Sequence, residues 1–600
     1  MKRALLCFMA LVALMPTAWA EDPHSHAVPA QAVVRHLDLD VTVDFAKTSL
    51  HGTATWTIER APEAHEIVFD VRQMEILSVQ GGGRPLKFKV GKEEGVLGAP
   101  LTVDLPSGVK QVAIAYRTLP EAGALQWLKP EQTAGGKEPF LFTQSQAVLA
   151  RTWIPCQDSP AVRFTYKAKV TAPKHLLALM SASNPTKLSS KGEYRFDMPE
   201  PIPSYLMALA VGDLKFQSLG KVSGIYAEPS ELKAAAYEFA ETEKMVVAVE
   251  KMFGPYRWGR YDMLLLPPSF PFGGMENPRL TFLTPTVIAG DRSLTSLIAH
   301  ELAHSWSGNL VTNASWNDFW LNEGFTVYLE RRIMEELYGK DYAAMLDDLG
   351  YDDLKRSIAR MEPRDTHLKL DLKGRDPDEG LTDIAYEKGY LFLKSLEQQV
   401  GRERFDRFLR AHFDDHAFQS LDTESFVARV KEQLGPDLEI DAWVYGPGIP
   451  DGFTVPPSER FAAVDQTLVE WKAGTPPADL NTAEWSTMEW LRFLRGLPAE
   501  ITVAQMNDLD AAFHFTDSGN SEILAQWLVT AIVARYEPAY PALEAFLVKV
   551  GRRKFLEPLY EELIKTEDGK ARARAIYKKA RPNYHSVAVG TIDALLGWPY

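Results

Sequence analysis

Between Val33 and about Gly212 apolar and polar positions alternate: Leu37, Leu39, Val41 and Val43; Ala54, Trp56 and Ile58; Val112, Ile114 and Tyr116; Phe164, Tyr166, Ala168 and Val170. Successive side chains of a strand point to opposite faces, so these runs, divided by Gly, Pro and Asp, predict antiparallel sheet with one buried face. After Pro229 the spacing lengthens to three and four residues, with Leu232, Ala235 and Ala236, then Val246, Val249 and Met252, which predicts helices. Between about 213 and 455 such helices mix with short apolar runs such as Met263-Leu264-Leu265-Leu266. Gly446 to Gly452 and then Pro456-Pro457 are rich in breakers and read as a linker. Beyond it lie helical stripes only: Trp485, Met488, Leu491 and Leu494; Leu524, Trp527, Leu528 and Ala531; Leu543, Phe546, Leu547 and Val550. The pattern divides the chain into an antiparallel β domain over 21–214, a mixed domain over 215–455 and an all-α domain over 456–600. The fold class is multidomain α+β.

Composition supports packed domains and limits the partners. A chain of 600 residues is too long for one core, and 46% hydrophobic residues exclude wholesale disorder. Lys and Arg number 65 against 80 Asp and Glu, and the resulting −15 repels polyphosphate, so nucleic acid is not an expected partner. The first twenty residues stand apart. Lys2 and Arg3 precede an apolar stretch from Ala4 to about Leu14, and Thr17-Ala18-Trp19-Ala20 follows with small residues around one bulky one. That is the pattern of a secretory signal cleaved after Ala20. A membrane span needs about 20 apolar residues, and Pro16 interrupts this run. The mature chain is therefore expected in the periplasm or outside the cell, without a membrane anchor. Cys7 leaves with the signal, and Cys156 alone cannot form an internal disulfide. Cys156 reads as a packed small residue, and His24 and His26 as part of a solvated tail.

The chemistry is concentrated in two helical runs. His300-Glu301-Leu302-Ala303-His304 lies in a stretch with no Pro or Gly from Leu294 until Gly308. On a helix, positions four apart share a face, so both imidazoles can reach one ion while Glu301 stands beside it as a general base. Trp320-Leu321-Asn322-Glu323-Gly324-Phe325 opens the second run and leaves 18 residues between His304 and Glu323, enough chain for a turn and an antiparallel return. With Glu323 as third ligand, two imidazoles and one carboxylate leave a position for water, the mark of a catalytic rather than a structural zinc site. Glu330 is seven residues after Glu323, on the same helix face, and is either an orienting partner of a ligand or half of a surface salt bridge.

These residues, together with Gly273-Gly274-Met275-Glu276-Asn277 and Ala385-Tyr386-Glu387-Lys388-Gly389, resemble the zinc aminopeptidases of the aminopeptidase N type, a gluzincin family, and most closely the branch that includes leukotriene hydrolase. The similarity runs from about residue 33 to the C-terminus and takes in Phe142-Thr143-Gln144-Ser145-Gln146 and Gly551-Arg552-Arg553-Lys554-Phe555. It implies a saddle-like β domain, a thermolysin-like catalytic domain, an armadillo-like helical domain and an active site in the cleft between them, with one zinc per chain.

The resemblance also implies roles. Glu276 would hold the substrate's free ammonium, Gln146 would add a polar contact to it, and Gly273, Gly274 and Met275 would lie along an extended substrate. Tyr386 would donate a hydrogen bond to the developing oxyanion; by itself it reads as a packed core tyrosine, and the surrounding motif reverses that reading. Arg552 and Lys554 resemble a corner that binds a peptide's C-terminal carboxylate, although two cations after a helix also complement its macrodipole. Asp378 is similar to a family acid linked to epoxide chemistry and to recognition of the N-terminal side chain. Leu381 departs from the leukotriene-hydrolase pattern, which has tyrosine there. The expected activity is removal of N-terminal residues from short peptides by an exported zinc enzyme with no obligate protein partner. The alternatives are a lipid epoxide hydrolase and a catalytically silent peptide-binding protein, the latter disfavoured by intact His300, Glu301, His304, Glu323 and Tyr386.

Overall fold

The computed structural model describes residues 22–599, so the expected signal segment lies outside the described residues. The alternating runs form Ala32–Asp44, Ser49–Arg60, Gln111–Thr118 and Arg163–Thr171 within a seven-stranded sheet. Their apolar positions bury as the alternation requires, and Trp56, fully buried, meets the edge of Phe164 at 4.8 Å between ring centroids. One pair departs from the antiparallel expectation. Ala32–Asp44 runs parallel to Arg163–Thr171, with His36 opposite Thr165 and Thr42 opposite Thr171. Parallel neighbours need a long crossover, and the chain between them supplies one by building strands of the three- and four-stranded sheets.

The first residues described are also not the solvated tail expected. His24 is fully buried; its Nε2 lies 3.0 Å from the Leu372 carbonyl, and its own carbonyl accepts from Arg151 Nη2 at 2.7 Å. Ser25 Oγ and the His26 amide donate to Asp70 at 2.6 and 2.7 Å. The cause is the buried Arg151–Asp158 pair beside Asp70. Buried charges demand polar partners, and this segment provides them while tying the β domain to the middle one.

In the middle domain the mixed pattern resolves into a five-stranded sheet, with Tyr261–Leu265 central and Gly274–Met275 at one edge, followed by helices. Ser296–Ala303 carries His300, and the 19-residue Trp320–Tyr338 carries Glu323. The β and middle domains share one hydrophobic core, whereas the helical domain has its own, which takes Met345 and Leu349 from the helix Lys340–Ile358. The linker is anchored rather than loose: Lys388 Nζ donates to the Gly446 carbonyl, and the Gly448 amide to Thr366 Oγ1.

Each stripe of the last domain becomes a helix, although Trp485 precedes Thr487–Arg495 and Val550 follows Tyr540–Lys549. Thr487–Arg495 packs on Ser521–Val533, which packs on Arg553–Leu563, which packs on Ser586–Leu596, while Tyr540–Lys549 packs on Glu567–Ala580. Packing on the next helix but one yields the two-layered, armadillo-like stack expected. Backbone bonds dock the stack onto the middle domain: the Gly551 amide donates to Pro268 at 2.8 Å and the Arg553 amide to Pro271 at 2.9 Å. Gly551 is required there, since a Cβ would lie 2.5 Å from the Ser269 carbonyl oxygen.

Candidate active site

A cleft of about 770 Å³ lies where the three domains meet. Gln146 comes from the β domain; Gly273, Gly274, Glu276, His300, Glu301, His304, Glu323 and Tyr386 from the middle domain; Arg552 and Lys554 from the helical domain. Folding thus brings together nearly all the residues singled out from sequence. Met275 and Asp378 are not among the lining residues. Met275 is buried with its sulfur 3.3 Å from Gln144 Nε2, and the Asp378 carboxylate accepts from the Ala147 amide behind Gln146, where burial and neighbouring Asp376 push it up to about 7.

At the centre, His300 Nε2 and His304 Nε2 lie 3.3 and 3.5 Å from Glu323 Oε2. The opposite ring nitrogens are engaged: His300 Nδ1 is 3.1 Å from Glu330 Oε2, and His304 Nδ1 is 3.0 Å from the Ser307 carbonyl. In the neutral rings that a metal requires, those acceptors keep the proton on Nδ1 and turn both Nε2 lone pairs toward Glu323. Glu330 is therefore the orienting partner of His300, and the salt bridge it makes, 2.7 Å to Arg331, is buried rather than superficial. Glu323 Oε2 is buried without a hydrogen-bond partner. A bare carboxylate oxygen faced by two imidazole nitrogens costs free energy unless a cation joins them, so the donor set fits zinc. Burial alone would push the Glu323 carboxyl up, but the imidazoles outweigh it and hold it down at about 2.

A contact between two glycines that sequence reading did not find sets the spacing of this centre. Gly324 and Gly389 meet where the Glu323 helix crosses Gly389–Val400; a Cβ on Gly324 would lie 2.7 Å from the Gly389 Cα. Their close approach brings Tyr386 against His300, with rings stacked at 6.0 Å and 18°. Tyr386 sits in a π-turn, Ile384–Lys388, in which the Gly389 amide reaches back to the Ile384 carbonyl. The extra residue in such a turn re-aims side chains and often marks functional sites.

Glu301 and Glu276 flank the ligands. Glu301 folds against Gly274, where a Cβ would lie 2.2 Å from its Oε1, and its Oε2 has no partner. Burial, opposed by both imidazoles and reinforced by Glu276 and Glu323, pushes its carboxyl up to about 7. Glu276 is 4% exposed, with Oε1 unpartnered, and Gln146 Nε2, from the β domain, is also buried and unpartnered. On the helical-domain side Arg552 donates to Thr286 Oγ1 at 3.1 Å, and Lys554 pairs with Glu522 at 2.8 Å. Thr286 and Glu522 carry no local sequence signal; only the fold makes them neighbours of Arg552.

The peptidase family M1 domain matches residues 237–444, the peptidase M1 N-terminal domain 33–206, and the leukotriene A4 hydrolase C-terminal domain 485–596. Leukotriene A-4 hydrolase of Xenopus laevis is 38% identical over 94% of this chain and 97% of its own length. The chain belongs to peptidase family M1. Leucine aminopeptidase 2 of Yarrowia lipolytica is 38% identical over 91% of this chain and 89% of that protein. Yeast leukotriene A4 hydrolase, solved with bestatin, superposes with a TM-score of 0.89 at 32% identity, covering 97% of this chain and 98% of that one. This M1 protein is a zinc metallo-aminopeptidase of the leukotriene A4 hydrolase branch, with one catalytic zinc.

In the metal-free M1 chain, burial disfavours a charged His304, but the carboxylates of Glu276 and Glu323 prevail and push it up to about 9. A ligating imidazole must be neutral, so metal entry displaces that proton. Zinc affinity should fall as pH drops below about 9, by up to roughly tenfold per pH unit for that proton. Chelator competition across this range measures it; pH-independent affinity would show that no proton leaves His304 when the metal enters.

Proposed function

We propose that the chain is an exported aminopeptidase that cuts single residues from the N-termini of short peptides with free C-termini. The observation that carries this reading is the arrangement of charge along the cleft: the unpartnered carboxylate oxygen of Glu276 beside the His300–His304–Glu323 centre, and on the helical-domain side two cations, Arg552 and Lys554, that share the single carboxylate of Glu522 and leave Arg552 Nε without a partner. A carboxylate at fixed distance from the reacting centre measures one residue from the amine. A cation pair beyond it favours peptides short enough to place their terminal carboxylate there. Gly274–Met275 is an edge strand, hydrogen-bonded to Thr281–Leu283 on one side only, which suits an extended substrate.

His300, His304 and Glu323 hold the zinc, which when bound supplies the positive charge that polarises the scissile carbonyl and acidifies the attacking water. Glu301 accepts the proton of that water and delivers it to the departing amine. Tyr386 donates its hydroxyl proton in a hydrogen bond to the carbonyl oxygen as negative charge develops there; burial and the surrounding carboxylates hold its pKa well above the ordinary value, so the hydroxyl stays a donor. Glu276, joined by Gln146, binds the substrate ammonium. Leu381 lines the cleft, giving an alkyl wall where the leukotriene-hydrolase pattern has a phenol, which favours peptides over lipid epoxides.

Acetylating the substrate amine should nearly abolish cleavage, and Glu276→Ala should severely impair free-amine substrates. Arylamides and peptides with and without the acetyl group, assayed side by side, decide it: equal rates would make the protein an endopeptidase. Export rests on residues 1–20. The mature N-terminus of protein recovered from the periplasm or medium, read by mass spectrometry, should begin at Glu21.

A further inference from the structure

We propose that Glu522 is a specificity-determining residue that attenuates the cation pair on the helical-domain side of the cleft, so that a peptide's C-terminal carboxylate is held there but released after cleavage. The proposal rests on the reading of Arg552 and Lys554 as carboxylate-binding residues.

Glu522 lies in the first turn of Ser521–Val533, where Asn520 Oδ1 accepts its amide at 3.0 Å and that of Ile523 at 3.3 Å. Its backbone is thereby fixed, and its charge sits at the positive end of the helix. Both carboxylate oxygens accept from Lys554 Nζ, at 2.8 and 2.9 Å. The contact with Arg552 is looser, 3.4 Å from Nη1 to Oε1. Burial works against an ionised Glu522, but the two cations outweigh it.

Arg552 is left under-used. It is 7% exposed, its Nε is buried without a partner, and its Nη2 faces Gly273 on the cleft wall, where a Cβ would lie 2.8 Å away. A buried donor without an acceptor is costly, and here it borders the cleft. Arg552 and Lys554 share one carboxylate, Glu522, and it is held mainly by Lys554, so Arg552 keeps donor capacity for an incoming carboxylate. Geometry divides the labour: Lys554 stays with Glu522, and Arg552 accepts the ligand.

The reaction gives this arrangement a purpose. Removing an N-terminal residue leaves the C-terminal carboxylate on the larger product, so whatever that corner contributes to substrate binding it also contributes to product binding. Binding that is equal before and after the chemical step lowers KM without raising kcat. A resident carboxylate beside the cations weakens this uniform attraction while leaving the guanidinium in place.

Glu522→Gln keeps the side-chain volume and removes the charge. Tripeptides with free C-termini should show KM lowered about tenfold, with a similar tightening of inhibition by the dipeptide product. The matching tripeptide amides should change less, so the ratio of acid to amide KM falls. An unchanged ratio in a folded variant, or a raised one, would overturn the proposal and leave Glu522 as a brace for Lys554. Should Glu522→Gln fail to fold, Glu522→Asp, whose carboxylate is withdrawn by one methylene, should shift the ratio in the same direction by less, and an unchanged or raised ratio there counts equally against the proposal. The wild-type enzyme separates the two readings. If it does not distinguish acids from amides, the carboxylate role of Arg552 itself fails; if it does and the variant ratio does not fall, only the role of Glu522 fails.

Discussion

Tyr386→Phe should retain zinc and lose about 100- to 1000-fold in turnover, the scale of one oxyanion donor removed from a preorganised site. Phenylalanine preserves the ring that stacks on His300 at 6.0 Å and meets Phe319 edge-on at 6.1 Å, so the packing around the ligand survives and only the hydroxyl is lost. The loss should appear in kcat with little change in KM, because the hydrogen bond strengthens as the carbonyl oxygen gains charge. Metal content and kcat of the purified variant settle the matter. A near-normal rate would return Tyr386 to the status of a packed tyrosine.

Replacing Glu301 by Gln tests the base. Turnover should fall at least about 100-fold with zinc retained, since the variant keeps shape and hydrogen-bonding capacity but cannot take a proton. Glu301 is 4% exposed and folds against Gly274, so an isosteric amide is the replacement that cleft geometry tolerates. His300 and His304 keep Glu330 and Ser307 as their Nδ1 partners, which is why metal should stay. Loss of zinc in the variant would make the defect one of metal binding, and full activity in a metal-free wild-type sample would sink the mechanism altogether.

The ligand set was readable because helical spacing is a local property: His300 and His304 are one turn apart wherever the helix lies, and Glu323 opens the next helix. Arg552 and Lys554 were found only through resemblance, since Arg552 lies 248 positions after His304 in the chain. Glu522, Thr286 and the Gly324–Gly389 contact gave no signal, because each matters through a partner on another element. The solvated tail assigned to His24 and His26 failed for the same reason: the buried Arg151, Asp158 and Asp70 that hold it are distant in sequence.

By itself, then, the sequence determined what repeats at short range: strands where polarity alternates, helices where it recurs every three or four residues, and the two-imidazole face of His300 and His304. Tertiary structure decided what depends on contact between distant segments. It made Ala32–Asp44 and Arg163–Thr171 parallel neighbours, turned Glu330 toward His300, and let two glycines bring Tyr386 to the metal ligands. Periodicity specifies which face of an element is buried but not against which partner. Close packing makes that choice, and the chemistry of this cleft lies almost wholly in those partners.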